Sequence, residues 1–189
     1  MKSVASFFNL KSAKLNSTRT ITGVALFVAL FVALRFFNIQ LSPTLKVSFT
    51  FLATVLCARL YGFWPTMVYA LAADFVGFMM SPDGLYNPLF ALVLMVKGAI
   101  YVAFFYQVEK ISVPRFILAQ LLADLIGNVL LNPLLLTMMF NMPYWALVST
   151  RIVKNIVCLP FECVVIFFAF RYLPKTLFQA KPEMNSNNG

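Results

Sequence analysis

The stretch from Gly23 to Phe37, GVALFVALFVALRFF, constrains the fold of this chain most, because it is apolar enough to reside in lipid. Within it, Ala25, Ala29 and Ala33 recur at a spacing of four, which places them on one side of a helix. Small side chains on one side allow a second helix to approach closely. We predict that these alanines form a docking stripe for a partner; packing within the chain's own bundle is the alternative.

The composition indicates an integral membrane protein. Of the 189 residues, 61% are hydrophobic and only 11% are charged. A soluble domain of this size would have too few polar residues to cover its surface. The formal net charge of +9 is therefore best explained by lysine and arginine on cytoplasmic loops, and we expect no nucleic-acid partner.

Several kinds of chemistry are excluded by the residues that the sequence lacks. There is no histidine, which removes histidine catalysis and most zinc sites, and there is no Gly-rich phosphate-binding loop for ATP. Cys57, Cys158 and Cys163 all lie in apolar segments, which favours free thiols over disulfides. We expect a protein that is not an enzyme, with no catalytic residues, no metal and no cofactor.

Turn residues divide the apolar sequence into helical segments. We predict an all-α integral membrane bundle of six transmembrane helices as a single domain over residues 1–189, with a basic tail at 1–18 and a polar tail at 174–189. Lysine and arginine favour one face by ten to four, so both termini should be cytoplasmic, with the chain in the cell membrane. The predicted segments are 19–38, 48–61, 65–80, 89–106, 114–140 and 144–172.

Four cations fall on the outer face despite this bias. Arg35, Lys46, Arg151 and Lys154 lie near the outer ends of the first and last segments or in the first outer loop. Such a surplus would hold an anion, especially a carboxylate, which arginine can bind with two parallel hydrogen bonds. The alternative is that these side chains extend to lipid headgroups.

The last segment carries a polar stripe on an otherwise apolar helix. Arg151, Lys154, Asn155, Cys158 and Glu162 follow one another at offsets of 0, 3, 4, 7 and 11. A stripe of this kind faces the bundle interior or a watery cavity. We predict that its outer residues line a ligand pocket, and that Glu162, which lies deeper, is paired with another buried polar group.

Two segments share the pattern Ala-Asp-x-x-Gly, which is an internal echo typical of transporters. It places Asp74 and Asp124 at mid-membrane depth, with Lys97 as a possible partner. We favour structural ion pairing for these groups, since buried charges need partners. A role as proton sites is the alternative.

Further candidates for ligand contact are amides and aromatic rings. Asn128 and Asn132, one turn apart in the fifth segment, could read a heterocycle through donor and acceptor pairs. Phe49 and Tyr86 near the outer ends could stack on a flat ring, as could other aromatic residues there.

In the order and spacing of its motifs, the chain resembles the S components of energy-coupling-factor (ECF) transporters. These are small six-helix membrane proteins that capture vitamins and dock on a shared transmembrane module with two ATPases. Among them it is most similar to the folate-specific members, through the run NVLLNPLLLTMMF in the fifth segment. The resemblance covers residues 20–173 and rests on Ala25-x-x-x-Ala29, LKVSFTF at Leu45–Phe51, ALAADFVGF at Ala70–Phe78, the Pro/Gly/Asn loop before the fourth segment, RIVKN at Arg151–Asn155 and LPFE at Leu159–Glu162.

The resemblance implies capture of a folate-like anionic vitamin from outside and docking through the alanine face on the coupling subunit. ATP would be used by the two ATPase subunits of that module and not by this chain. The second segment departs from the family, since Ala53, Cys57 and Arg59 replace its usual Pro- and Gly-containing run. Two alternatives remain open: an S component for another vitamin such as pantothenate, and a proton-coupled secondary carrier.

Overall fold

In the computed structural model, the predicted all-α bundle is confirmed. The structure describes residues 17–37, 39–42, 45–80, 87–106, 108, 113–140 and 143–172. The amino-terminal tail before residue 17, the polar tail after residue 172 and most of the loop that contains Tyr86 lie outside these residues. The elements in chain order are α1 (Thr18–Phe36), β1 (Ile39–Ser42), β2 (Leu45–Val47), α2 (Phe51–Tyr61), α3 (Phe63–Met80), α4 (Leu89–Phe105), α5 (Val113–Ala123), a π-helical segment (Asp124–Leu131), α6 (Asn132–Phe140) and α7 (Tyr144–Tyr172).

Among the described residues, three helical stretches are long and apolar enough to cross a membrane by themselves: Thr18–Phe36, Phe63–Met80 and Pro114–Phe140. Helices α2 and α4 are apolar but shorter. The 11 residues of α2 extend about 16 Å, roughly half of a hydrocarbon core about 30 Å thick. The second predicted segment thus forms a helix that is shorter than the membrane is thick.

The core lies where α3 packs between α1 and α4. Val24, Phe27 and Phe31 recur every three or four residues on α1, so one side of this helix is buried against the bundle. Tyr69 of α3 is fully buried, and its hydroxyl lies 3.2 Å from that of Thr54 on α2. Since a buried hydroxyl needs a partner, this pair satisfies both residues.

A tight turn at Gly62 joins α2 and α3. Gly62 adopts φ 79°, a conformation that side chains other than hydrogen rarely allow. Pro65 lies in the first turn of α3, where its missing N–H costs no helical hydrogen bond. The two helices are therefore joined without an intervening loop.

The connection between α1 and α2 differs from the loop that the sequence predicted. Residues Ile39–Ser42 and Leu45–Val47 form a short antiparallel hairpin in which Gln40 pairs with Lys46. Apolar and polar residues alternate through both strands, the period-two pattern of a β-strand. This alternation is visible in the sequence, but the strands are so short that the turn residues Ser42 and Pro43 favoured the prediction of a loop.

The fifth predicted segment is also not uniform. A continuous helix runs from α5 to α6, as predicted, but Asp124–Leu131 between them is π-helical. In a π-helix each backbone carbonyl accepts from the residue five positions ahead rather than four. Such segments are rare in proteins, and those that occur are often found at functional sites. This one carries Asp124, Gly127 and Asn128.

Candidate functional site

Lys97, at the middle of α4, reaches the π-helical segment. Its Nζ donates a hydrogen bond of 2.8 Å to Oδ1 of Asn128 and lies 3.8 Å from Oδ1 of Asp124. The absence of a side chain at Gly127 makes room for it, because a Cβ there would lie 2.9 Å from Cγ of Lys97. The structural ion pair predicted between Lys97 and Asp124 is therefore present. Asp74, the other carboxylate of the internal echo, is half-buried on α3.

Gln120 of α5 connects the acidic residues of this region. Its Nε2 donates to Oε2 of Glu162 at 2.7 Å and to Oδ2 of Asp124 at 3.2 Å, while its Oε1 accepts from the Tyr101 hydroxyl at 2.9 Å. The prediction that Glu162 pairs with a buried polar group is thus confirmed. Gln120 itself was missed, although its position four residues before Asp124 places the two on one helix face.

These contacts form one continuous group, which we call the polar network. It joins α4, α5, the π-helical segment and α7 through hydrogen bonds between buried or half-buried side chains. Charges removed from water need both partners and hydrogen bonds to be tolerated. The members of the polar network are Lys97, Tyr101, Gln120, Asp124, Asn128 and Glu162.

The amino-terminal part of α7 lies next to the polar network. Nη1 of Arg151 approaches the backbone carbonyl of Asn128 at 3.5 Å, so this cation is held against the π-helical segment. Lys154 is half-buried one turn further on. Asn155 is 9% exposed, and no described residue pairs with its buried Nδ2. A buried donor without a partner costs about 1–3 kcal/mol.

The structure brings Asn128 and Arg151 together, and it places the other predicted site residues as follows. Asn128 is already engaged through its side chain, which accepts from Lys97 and donates to Asp124 at 2.7 Å. Asn132 is half-buried at the start of α6. The side chain of Lys46 and all of Tyr86 lie outside the described residues.

Arg35 and Phe49 approach other parts of the bundle. Arg35 is half-buried at the end of α1 and lies against α3, since a Cβ on Gly77 would be 3.2 Å from its Nη1. The Phe49 ring packs edge-on against Phe161 of α7, with 6.0 Å between centroids. Phe49 is thereby tied to the same helix as Arg151.

The alanines of α1 point away from the bundle. Ala25, Ala29 and Ala33 are all exposed, opposite the buried Val24, Phe27 and Phe31. They therefore do not serve the packing of α1 against α3. Small side chains have no packing advantage over large ones where they face lipid. They do have one where a second helix packs against them, because they let the two backbones approach closely.

The structure is thus a helical bundle with half-buried cations, Arg151 and Lys154, in the amino-terminal part of α7. The profile of the ECF-type riboflavin transporter, S component, matches residues 15–169. The chain therefore belongs to the family of S components of ECF-type transporters, which is a family of transporter subunits.

Relatives within this family carry a different vitamin in their names. The folate transporter FolT of Clostridium novyi (strain NT) is 29% identical over 141 residues, covering 75% of this chain and 81% of its own length. FolT of Streptococcus mutans serotype c is 30% identical over 143 residues, covering 72% of this chain and 76% of its own length.

A solved structure supports the fold as well. The crystal structure of FolT bound with folic acid superimposes with a TM-score of 0.76 at 28% identity. The match covers 84% of this chain and 96% of that chain. The two proteins thus share a fold over the matched part of this chain.

Proposed function

We propose that this chain is the substrate-capture subunit of an ECF-type importer and binds folate or reduced folates from outside the cell membrane. The observation that carries the proposal is the outer part of α7. There, Arg151 supplies a guanidinium, Lys154 supplies an ammonium group, and Asn155 supplies an amide Nδ2 that pairs with no described residue. The three residues lie within two helical turns. The folate transporters among its relatives support the choice of vitamin.

The chemistry of folate suits this arrangement. The glutamate end of folate carries two carboxylates, and Arg151 and Lys154 supply charge for them, with Arg35 on α1 as a further cation. The pterin end carries ring nitrogens and a carbonyl, and Nδ2 of Asn155, which pairs with no described residue, can donate to one of these acceptors. Phe49, held against Phe161, offers an apolar ring face for stacking.

Transport requires partners in this proposal. The exposed face of Ala25, Ala29 and Ala33 docks on the transmembrane coupling subunit of an ECF module. Two ATPase subunits of that module hydrolyse ATP, and this chain needs no cofactor of its own. The amino and carboxyl termini lie on the cytoplasmic side, as the distribution of lysine and arginine predicts.

Fluorescence of the purified chain in detergent tests the ligand. The chain has two tryptophans, so a Trp64→Phe variant leaves Trp145, six residues before Arg151, as the single reporter. We expect folate and 5-formyltetrahydrofolate to change its emission with nanomolar affinity, which is the range of about −12 kcal/mol. Pantothenate and thiamine should have no effect. Absence of folate binding would remove folate from the proposal.

Riboflavin is the second candidate ligand, because the matching family profile carries its name. Riboflavin has no carboxylate, so the two vitamins make different demands on Arg151. An Arg151→Gln variant should weaken folate binding strongly and leave riboflavin binding nearly unchanged. Tight riboflavin binding by the parent chain, insensitive to this substitution, would favour riboflavin over folate.

A further inference from the structure

Two features of the helix keep the donors of the α-helical and π-helical registers from the backbone carbonyl of Asn128. In the π-helical segment the N–H of Asn132 bonds to the carbonyl of Gly127, five residues before it, so it is not directed to Asn128 as it would be in an α-helix. The next donor in this register would be residue 133. Residue 133 is proline, which has no N–H.

Arg151 occupies this carbonyl from the neighbouring helix. Its Nη1 lies 3.5 Å from the Asn128 oxygen and is the hydrogen-bond donor that the helix itself does not supply. The position of Asn128 is in turn fixed through its side chain by Lys97 and Asp124. The position of the Arg151 guanidinium is therefore fixed relative to α4 and the π-helical segment.

We propose that Pro133 is a positioning residue for the ligand-binding guanidinium of Arg151. By withholding an N–H in the π-helical register, it leaves the Asn128 carbonyl open for Arg151 and sets where that cation meets a carboxylate. This role rests on the proposed function, since it assigns Arg151 to an anionic ligand. It adds a specificity element that does not itself touch the ligand.

A Pro133→Ala variant tests the geometry without any ligand. Alanine restores an N–H that competes for the Asn128 carbonyl, and it is a strong helix former, so the fold should be kept. In protein labelled with ¹⁵N-arginine, the Arg151 Nε–H signal, assigned through Arg151→Lys, should shift in this variant.

Two other proline substitutions serve as controls. Pro65 is fully buried like Pro133 but lies in a first helical turn, so Pro65→Ala controls for the loss of a buried proline ring. Pro160 lies inside α7, so Pro160→Ala controls for the removal of a proline from a helix interior. Neither should move the Arg151 signal. An Arg151 signal unchanged by Pro133→Ala overturns the proposal whatever the ligand is.

The functional consequence is measured by a double-mutant cycle. Pro133→Ala should weaken folate binding about tenfold, the effect of losing one charge-assisted hydrogen bond, and should leave 6-hydroxymethylpterin, which has no carboxylate, unaffected. In an Arg151→Gln background, Pro133→Ala should have no further effect. Equal loss for both ligands, or full additivity with Arg151→Gln, would show a general packing defect and overturn the role.

The two proposals can fail separately. If the parent chain does not bind folate but Pro133→Ala shifts the Arg151 signal, the assignment of folate fails and the positioning of Arg151 stands. If folate binds and Pro133→Ala changes neither the signal nor the affinity, the positioning role fails and the capture of folate stands.

Discussion

Lys97 of α4 and Asn128 of the π-helical segment are joined by a hydrogen bond of 2.8 Å from Nζ to Oδ1. This contact connects the buried polar network to the candidate ligand site, because the backbone carbonyl of Asn128 also receives Arg151. A single residue thus belongs to the structural interior through its side chain and to the candidate site through its backbone.

Substitution of Gly127 should disturb Lys97 specifically. A Cβ at this position would lie 2.9 Å from Cγ and 3.1 Å from Cδ of Lys97, so the lysine must leave its partners. Gly127→Ala should lower the free energy of unfolding by about 1–3 kcal/mol, as expected for overpacking. Thermal unfolding in detergent measures the change. In a Lys97→Ala background the same substitution should cost far less; an equal cost in both backgrounds would contradict this explanation.

Gln120 should be important for stability although it is far from any predicted ligand contact. Gln120→Ala leaves the buried Glu162 carboxyl group and the buried Tyr101 hydroxyl without their hydrogen bonds to Gln120, and each loss is worth about 1–3 kcal/mol. We expect a loss of about 3 kcal/mol in the free energy of unfolding. Ser149→Ala, at an exposed position on α7, should change it by less than about 0.5 kcal/mol. Comparable stability of the two variants would show that the network is energetically unimportant.

Substitution of Asn155 should stabilise the ligand-free chain and weaken ligand binding. Its buried Nδ2 has no partner among the described residues, so Asn155→Leu should stabilise the ligand-free chain by about 1 kcal/mol. The same variant should weaken folate binding, since the donor for the ligand is gone. Melting temperature without ligand and affinity by Trp145 fluorescence are measured on the same preparation. A destabilised variant that binds normally would place Asn155 outside the site.

The exposed alanine face should be required for assembly and not for capture. Ala29→Trp adds bulk on this face, so it should reduce co-purification with the coupling subunit and ATPases while leaving folate affinity unchanged. Ala146→Trp is a matched control, because Ala146 is also exposed but lies on α7. Equal co-purification of both variants would locate the docking surface elsewhere.

The chain alone should bind its vitamin without transporting it. In proteoliposomes that contain only this chain, an imposed proton gradient should drive no folate uptake. Addition of the coupling subunit, its ATPases and ATP should start uptake. Proton-driven accumulation by the chain alone would instead support a secondary carrier, with Asp74, Asp124 or Glu162 as the proton site.

The six helical segments could be predicted from the sequence because apolar length is the strongest constraint in a membrane protein. The pairing of Lys97 with Asp124 could also be predicted, since a charge in hydrocarbon requires a partner and few were available. Both inferences depend on the apolar length of each segment and on the position of a charge within it. Both quantities can be read directly from the sequence.

The π-helical segment could not be predicted in the same way. Its apolar residues fit an α-helical stretch equally well, and the contacts that Lys97 and Arg151 make with it come from other helices. Gln120 was overlooked because one amide in an apolar helix gives no pattern; only the positions of Tyr101 and Glu162 on other helices give it a role. The outer location of Arg151 was predicted, but not the carbonyl that it contacts.

The ion pair between α4 and the π-helical segment also bears on how the chain enters the bilayer. Lys97 stands at the centre of α4, where a lone lysine raises the free energy of membrane insertion by roughly 2.5–3.5 kcal/mol. Its counter-ion, Asp124, is supplied only by the next membrane segment to emerge from the ribosome. Stable insertion of α4 is therefore expected to await synthesis of Asp124, so that the two segments enter lipid as a pair during biogenesis.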